Sequence, residues 1–319
     1  MSAVAESVVE AVAGEVFGGS ATVERAVQLS GGASRETWAL DVAEPSGTRH
    51  ELVLRLDTPA LTLGPGADLF AEATLLRTAA ATGVPVPRVH ATGATPQGGR
   101  PYILMERVEG ETIPRRILRE EAYAPARKVL AAQCGQVLAA IHRMPPESAP
   151  AMEQDDPLRQ WRDVLDLTGQ PHPAFELAFR RLAETRPPRG RTTLVHGDFR
   201  NGNLIVGPEG LRAVLDWELA HPGDPLEDLG WLCVKAWRFG AGPPVGGFGG
   251  YDELVAAYER AGGGPVDRAA LAWWERFGTL KWGIICVMQA MRHLSGASPS
   301  VELAAIGRRV CETEWDLLS

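Results

Sequence analysis

Ahead of residue 106, apolar positions mostly recur with a period of two, and one stretch has helical spacing. In segment 51–56, Leu52, Leu54 and Leu56 face one way, the mark of a half-buried strand. Segments 26–30 and 36–42 read as a hairpin joined by Gly31-Gly32-Ala33-Ser34, and 89–92 and 101–108 supply two further strands. Between them, 66–82 sets Leu69, Ala73, Leu76 and Ala79 or Ala80 on one stripe, predicting a helix that Pro85-Val86-Pro87 closes off. After Gly110 the spacing becomes helical. Residues 124–144 align Val129, Leu130, Cys134, Val137, Leu138 and Ile141, and two more helices are predicted at 158–167 and 174–185. A short β-rich insert follows at 192–217. The remainder reads as helical, with a glycine-rich break at 240–250 and Ser298-Pro299 as cap and first turn of the last helix. The pattern predicts an α+β, bilobal chain. A small β-rich lobe with one main helix spans 1–106, and a larger helical lobe spans 107–319. The connector lies near Glu106 to Gly110, and clefts between lobes are preferred ligand sites.

Composition narrows the function. A net charge of -8 over 319 residues argues against a general nucleic-acid binder, which needs a positive field. The longest apolar run, near Trp282 to Met288, is far too short to cross a bilayer. The start Met1-Ser2-Ala3-Val4, with Glu6 and Glu10, lacks the basic and apolar regions of a signal peptide. Cys134, Cys233, Cys286 and Cys311 form no C-x-x-C pair and lie in apolar helical patterns, predicting buried free thiols in a reducing cytoplasm. Only Lys128, Lys235 and Lys281 among 32 basic residues are lysine, and Asn201 and Asn203 are the only asparagines. A chain that favours arginine so strongly keeps asparagine where chemistry demands it, because guanidinium offers no acceptor.

Both asparagines fall in the stretch 194–206, Leu-Val-His196-Gly197-Asp198-Phe-Arg200-Asn201-Gly-Asn203-Leu-Ile-Val, and Asp216-Trp217-Glu218 follow shortly after. Phosphoryl transfer needs a group that orients a hydroxyl and takes its proton, oxygen ligands for a divalent metal, and a cation against the developing charge. His196-x-Asp198-x4-Asn203 followed by Asp216 resembles the catalytic and metal-binding loops of the protein-kinase-like fold. Val195-His196-Gly197-Asp198, Leu215-Asp216-Trp217-Glu218 and Gly223-Asp224-Pro225-x2-Asp228-Leu229 resemble, more narrowly, the aminoglycoside phosphotransferase and choline kinase family. The wording is most similar to the bacterial branch related to hydroxyacyl-CoA kinases, and the resemblance covers nearly the whole chain.

That resemblance implies an ATP- and Mg2+-dependent O-phosphotransferase acting on a small-molecule hydroxyl acceptor, with no nucleic-acid or membrane partner, as a monomer or homodimer. Asp198 matches the family's base, Asn203 and Asp216 its two magnesium ligands, Arg200 a cation near the transferred phosphate, and His196 a loop-ordering residue. Gly31, Gly32 and Ser34 match the phosphate-covering loop, Arg55 and Glu72 the strand-cation and helix-carboxylate pair, and Glu106 and Val108 the adenine hinge. Several residues also admit plainer readings: Arg200 as solvated, Arg55 as a solvent-facing strand residue, Asp224 as a helix N-cap, Asp228 as a buried brace, Trp217 as core. Glu218 reads equally as a metal or substrate contact or as structural, and 240–250 as a lid or a surface loop. The family pattern usually has Lys where Arg55 stands, which motivates a second reading, a nucleotide-binding pseudokinase or scaffold without transfer. A protein kinase is the third reading, but no A-P-E signature follows Asp216. The acceptor could be an aminoglycoside, a hydroxyacyl compound or another small alcohol. A tryptophan-lined pocket would favour an acyl or aromatic acceptor, an acidic one an aminoglycoside.

Overall fold

The computed structural model describes residues 3–29, 35–57, 68–95, 99–149 and 156–319. Ser30, Gly31, Gly32, Ala33, Ser34 and positions 66 and 67 lie outside the described residues. The chain begins with α1 (Ala3–Phe17), a helix that alternation did not predict. Its stripe of Val8, Val9, Val12 and Ala13 is nonetheless helical in spacing, and it packs on Trp38, Leu40 and Val42 of the sheet.

The sheet comprises β1 (Thr22–Gln28), β2 (Arg35–Ala43), β3 (Arg49–Asp57), β4 (Val89–Ala94) and β5 (Pro101–Glu106). Its order is β1-β2-β3-β5-β4 and every pairing is antiparallel. The first strand begins and ends earlier than the alternation suggested, and the last ends at Glu106 rather than 108. The alternation in β3 turns Leu52, Leu54 and Leu56 onto α1 and Val53 onto the other face. That other face meets α2 (Leu69–Ala81), where Asp68 caps the first turn by accepting from the Ala71 N–H. Leu69 and Ala73 of α2 pack on Ile103 and Met105, while Leu75, Leu76 and Ala79 enter the core of the helical lobe. One helix therefore couples the two lobes.

The helical lobe runs through α3 (Pro114–Arg119), α4 (Ala124–Arg127), α5 (Leu130–Ile141), α6 (Pro157–Thr168) and α7 (Pro173–Glu184). The single helix predicted over 124–144 is interrupted at Lys128-Val129, so Val129 is exposed rather than on the buried stripe. The β-rich insert forms β6 (Thr193–Val195), β7 (Leu204–Gly207), β8 (Gly210–Val214) and a further strand, β9 (His221–Gly223), paired with β6. Helices α8 (Leu226–Cys233), α9 (Tyr251–Arg260), α10 (Arg268–Leu294), α11 (Val301–Gly307) and α12 (Val310–Leu318) complete the chain. The cap of α11 is Ser300, not Ser298: its Oγ accepts from the Leu303 N–H. Cys134, Cys233 and Cys286 are buried as expected, whereas Cys311 is exposed. No helix among the described residues is long and apolar enough to cross a membrane.

The glycine-rich segment is neither a lid nor a surface loop at its centre. Val245 and Phe248 are buried in the main core, and the Gly246 N–H donates to the Leu232 carbonyl. Glycines at 246 and 247 supply positive φ, and a Cβ at Gly249 would lie 2.3 Å from the Ala131 Cβ, so small residues let the backbone dive inward.

Two helix glycines give opposite expectations. A Cβ at Gly14 would meet the Gly19 Cα at 3.8 Å, so Gly14→Ala should stabilise by about 1 kcal/mol through helix propensity. A Cβ at Gly135 would lie 2.4 Å from the Leu254 carbonyl oxygen across the α5–α9 contact, so Gly135→Ala should destabilise by about 1–3 kcal/mol. Urea unfolding of both variants checks the pair of signs.

Candidate active site

Strand β6 delivers the chain into the loop His196–Asn203, and the loop is held from below. The carboxylate of Asp228, fully buried, accepts from the His196 N–H at 2.7 Å and the Gly197 N–H at 2.9 Å. His142 Nε2 lies 3.2 Å from the same carboxylate, and His142 Nδ1 is 2.8 Å from the Tyr258 hydroxyl. Burial pushes the Asp228 carboxyl up, but the His142 contact and the nearby backbone and imidazole groups outweigh it and hold it below the usual range. Asp228 is thus the brace the sequence suggested. His196 Nδ1 accepts from the Asp198 N–H, and its Nε2–H donates to the Leu215 carbonyl at 3.0 Å, linking the loop to the end of β8. Gly197 has φ 79° and its Cα faces the Leu219 carbonyl so closely that a Cβ would sit 2.4 Å from the oxygen.

Asp198 carries a dense donor set. Arg200 Nε donates to both its oxygens at 3.0 and 3.2 Å, Asn203 Nδ2 to Oδ2 at 2.7 Å, and Trp231 Nε1 to Oδ1 at 2.7 Å. Arg200 is therefore not simply solvated: its guanidinium also stacks over Trp237 at 4.7 Å. Asn203 donates a second bond to the Asp198 carbonyl, and among the described residues its Oδ1 takes no hydrogen bond. Asn201, with its side chain buried, donates to the Gly246 carbonyl at 2.8 Å and so ties the loop to the glycine-rich strap.

Across the cleft, Asp216 adopts a left-handed backbone (φ 66°, ψ 65°), a costly conformation for a non-glycine residue and one that clusters at functional positions. Its carboxylate lies 3.7 Å from Arg55 Nη2. Arg55 hydrogen-bonds Glu72, so the strand–helix pair is formed and Arg55 is turned to the cleft rather than to solvent. Burial disfavours its charge, but Glu72, Asp216 and Glu218 more than compensate and raise its pKa. The other oxygen of Glu72 is taken by Arg35, a residue that sequence reasoning missed. Arg35 opens β2, opposite Asp57, and shares the cleft-facing parity of Thr37 and Ala39, which was the available signal. It also reaches Asp57 at 3.3 Å and Glu218 at 3.6 Å. Burial and the neighbouring Asp216 push the Glu218 carboxyl upward.

These groups open on one cleft of about 2120 Å³, larger than a single small-molecule pocket needs. Ala39, Val53, Met105 and Leu215 line one end beside Glu106 and Val108, and Trp161, Trp231, Phe277, Trp282 and Met288 line the other. Gly31, Gly32 and Ser34 lie outside the described residues. Asp224 accepts from the Leu226 N–H at 2.9 Å and the Gly190 N–H at 3.2 Å, a capping role, and Trp217 is core. Among the described residues no group of three or more His, Cys, Asp or Glu converges on one point. The remaining oxygen set, Asn203 Oδ1 and the Asp216 carboxylate, is hard and sparse, which suits Mg2+, an ion that keeps water and phosphate ligands.

Beneath the tryptophan-lined end, Lys281 of α10 reaches Glu227 at 3.3 Å, and His221 Nε2 meets the other oxygen of Glu227 at 3.3 Å. Burial raises the Glu227 carboxyl, but these two cations dominate and bring it down to about 2.

The profile of the phosphotransferase enzyme family matches residues 25–274. The mouse protein acyl-CoA dehydrogenase family member 10 is 32% identical over 241 residues. That match covers 70% of this chain but 21% of the relative, so the chain corresponds to about a fifth of its length. The crystal structure of a candidate aminoglycoside phosphotransferase from Ralstonia eutropha JMP134 superposes with a TM-score of 0.73 at 22% identity, covering 98% of this chain and 97% of that one. A thermostable mutant of aminoglycoside phosphotransferase APH(4)-Ia, in ternary complex with AMP-PNP and hygromycin B, superposes with a TM-score of 0.61 at 20% identity over 96% and 97%. The fold is the bilobal protein-kinase-like one, at sequence distances where likeness speaks for fold alone.

The Glu227 cluster makes an acid-stability prediction. A depressed carboxylate contributes stability that is present above its unfolded value and is lost as pH falls through the folded one. Its drop from 4.5 to about 2 corresponds to roughly 3 kcal/mol. The unfolding free energy of wild type should therefore decline more steeply than that of Glu227→Gln between about pH 5 and about pH 2.5. Urea titrations at stepped pH test this, and parallel slopes would refute it.

Proposed function

Since the chain belongs to the phosphotransferase enzyme family, we propose that it is an ATP- and Mg2+-dependent O-phosphotransferase that moves the γ-phosphate to the hydroxyl of a small molecule. The observation that carries this reading is that Asp198, Asn203 and Asp216 open on the same cleft as the Arg55–Glu72 pair. The AMP-PNP bound in the APH(4)-Ia complex supports nucleotide use.

In this reading residues 1–106 hold the nucleotide and 107–319 carry the reacting loop and the acceptor. The backbone at Glu106 and Val108 meets adenine, and Gly31, Gly32 and Ser34 cover the phosphates. Arg55 and Arg35, clamped on one buried carboxylate, face the phosphate oxygens with two planar forks in place of one lysine point charge. Asn203 Oδ1 and Asp216 would hold Mg2+, which neutralises phosphate charge when bound. Asp198 orients the acceptor hydroxyl and takes its proton. A bond forms between the acceptor oxygen and the γ-phosphorus, the bond from that phosphorus to ADP breaks, and Arg200 offsets the charge passing between them.

The walls of the acceptor end favour an acyl or aromatic alcohol over a polycationic aminoglycoside. Its aromatic lining is extensive, and two of the carboxylates on that side are engaged, Asp156 by Arg186 and Glu227 by Lys281 and His221, whereas Glu302 there has no ion pair among the described residues. The acyl-CoA name of the mouse relative points the same way.

Asp198→Ala should abolish phosphate transfer while calorimetry with ATP and Mg2+ still registers binding, measured across a panel of aminoglycosides, choline-like amines, sugars and hydroxyacyl-CoA compounds by ADP release. Full activity in that variant rejects the mechanism. A wild type that binds nucleotide yet turns over no alcohol points to the scaffold instead. Arg55→Ala should weaken nucleotide binding about ten- to hundredfold, the scale of a charged hydrogen bond, whereas Arg55→Lys should recover part of it.

A further inference from the structure

Trp231 is unlike the aromatic side chains around it. Among the described residues, the buried ring N–H groups of Trp237, Trp274 and Trp282 find no hydrogen-bond acceptor, so these rings orient no polar group through their N–H. The Trp231 N–H instead donates to Asp198 Oδ1 at 2.7 Å, from a side chain that is itself buried. The aim of the ring is set by close contact between α8 and α10. A Cβ at Gly278 would lie 3.2 Å from Trp231 Cε3 and 2.7 Å from Val234 Cγ2, and one at Gly230 would lie 2.7 Å from the Trp274 carbonyl carbon. Two glycines thus let the helices approach until the indole edge reaches the loop.

Lys281 stands one turn beyond Gly278 on α10 and is the sole buried lysine of the chain's three. Its Nζ is 4.8 Å from the Trp231 ring centroid, 3.3 Å from Glu227 Oε1 and 3.5 Å from the Gly197 carbonyl. A cation over the ring face attracts the indole and holds its plane, while the bond to Gly197 grips the residue just before Asp198. The other donors to the Asp198 carboxylate, Arg200 and Asn203, lie on the same loop as Asp198. The proposed reaction also assigns each of them another partner, the transferred phosphate and the metal. Trp231 comes from a different element, and the proposed reaction assigns its N–H no other partner.

We infer that Trp231 is a positioning residue for phosphate transfer: its N–H fixes the plane of the Asp198 carboxylate so that a lone pair stays directed at the acceptor hydroxyl, with Lys281 holding the ring. The inference rests on Asp198 being the proton acceptor. Trp231→Phe keeps an aromatic ring and deletes the N–H. Trp231→benzothienylalanine replaces only the N–H by sulfur and preserves shape, so it remains informative if the Phe variant folds poorly. ADP release from MgATP with water as acceptor is the assay. Both variants should lose kcat about ten- to hundredfold, the usual cost of misaligned reacting groups, with KM for ATP unchanged, and the benzothienylalanine variant should also keep the wild-type Tm. Neither should lower the residual rate further in an Asp198→Ala background. A benzothienylalanine variant whose kcat stays within about twofold of wild type overturns the inference, as does a kcat loss that persists undiminished in the Asp198→Ala background. If Asp198→Ala itself turns over at the wild-type rate, the reading of Asp198 falls first. If Asp198→Ala is inactive and both Trp231 variants are fully active, the role of Trp231 alone falls.

Discussion

A single buried carboxylate, that of Asp228, governs the geometry of the loop between His196 and Asn203. Two consecutive backbone N–H groups point at it, and His142, backed by Tyr258, occupies its remaining side. A carboxylate in that environment is costly unless every oxygen is engaged, and here both are, which makes the brace rigid. The rigidity passes directly to Asp198, whose N–H is bound by His196 and whose side chain is bound by three donors. The loop is thus suspended between α8 below and the cleft above, with little freedom left to its backbone.

The cleft is organised by a second shared carboxylate. Glu72 on α2 accepts from Arg35 and Arg55 on adjacent strands, so the helix that joins the two lobes also aligns the cations of the small lobe. Arg55 approaches Asp216 across the cleft, which brings the small-lobe charges and the loop carboxylates within one electrostatic field. Arginine suits this arrangement because its planar fork can meet one carboxylate and still present N–H groups elsewhere. Lys281 is a different case: a compact ammonium in a narrow space between Glu227, a backbone carbonyl and an indole face.

The two asparagines turn out to serve distinct ends. Asn203 spends its amide nitrogen on Asp198 and leaves its oxygen to the cleft. Asn201 faces inward and anchors the loop to the strap at Gly246, a contact 45 residues away in sequence. The strap itself was legible only as a glycine-rich break. Its burial depends on Val245 and Phe248 finding space beside α5, and nothing in a local pattern of glycine and proline announces that.

Local order determined much of this protein. Alternation in β3 decided which face its leucines present, the spacing of Leu69, Ala73 and Leu76 marked α2, and the wording from His196 to Glu218 singled out the loop residues and their order. These are short-range properties, written in dihedral preference and in side-chain period. What only the tertiary structure decided are the long-range pairings. Arg35 joined Glu72, Asn201 reached Gly246, Trp231 met Asp198, and α1 closed over the sheet through a valine stripe that alternation did not reveal. Such contacts depend on how elements pack, and their register is set by close approaches such as Gly230 and Gly278 between α8 and α10, where the absence of a single Cβ decides the distance.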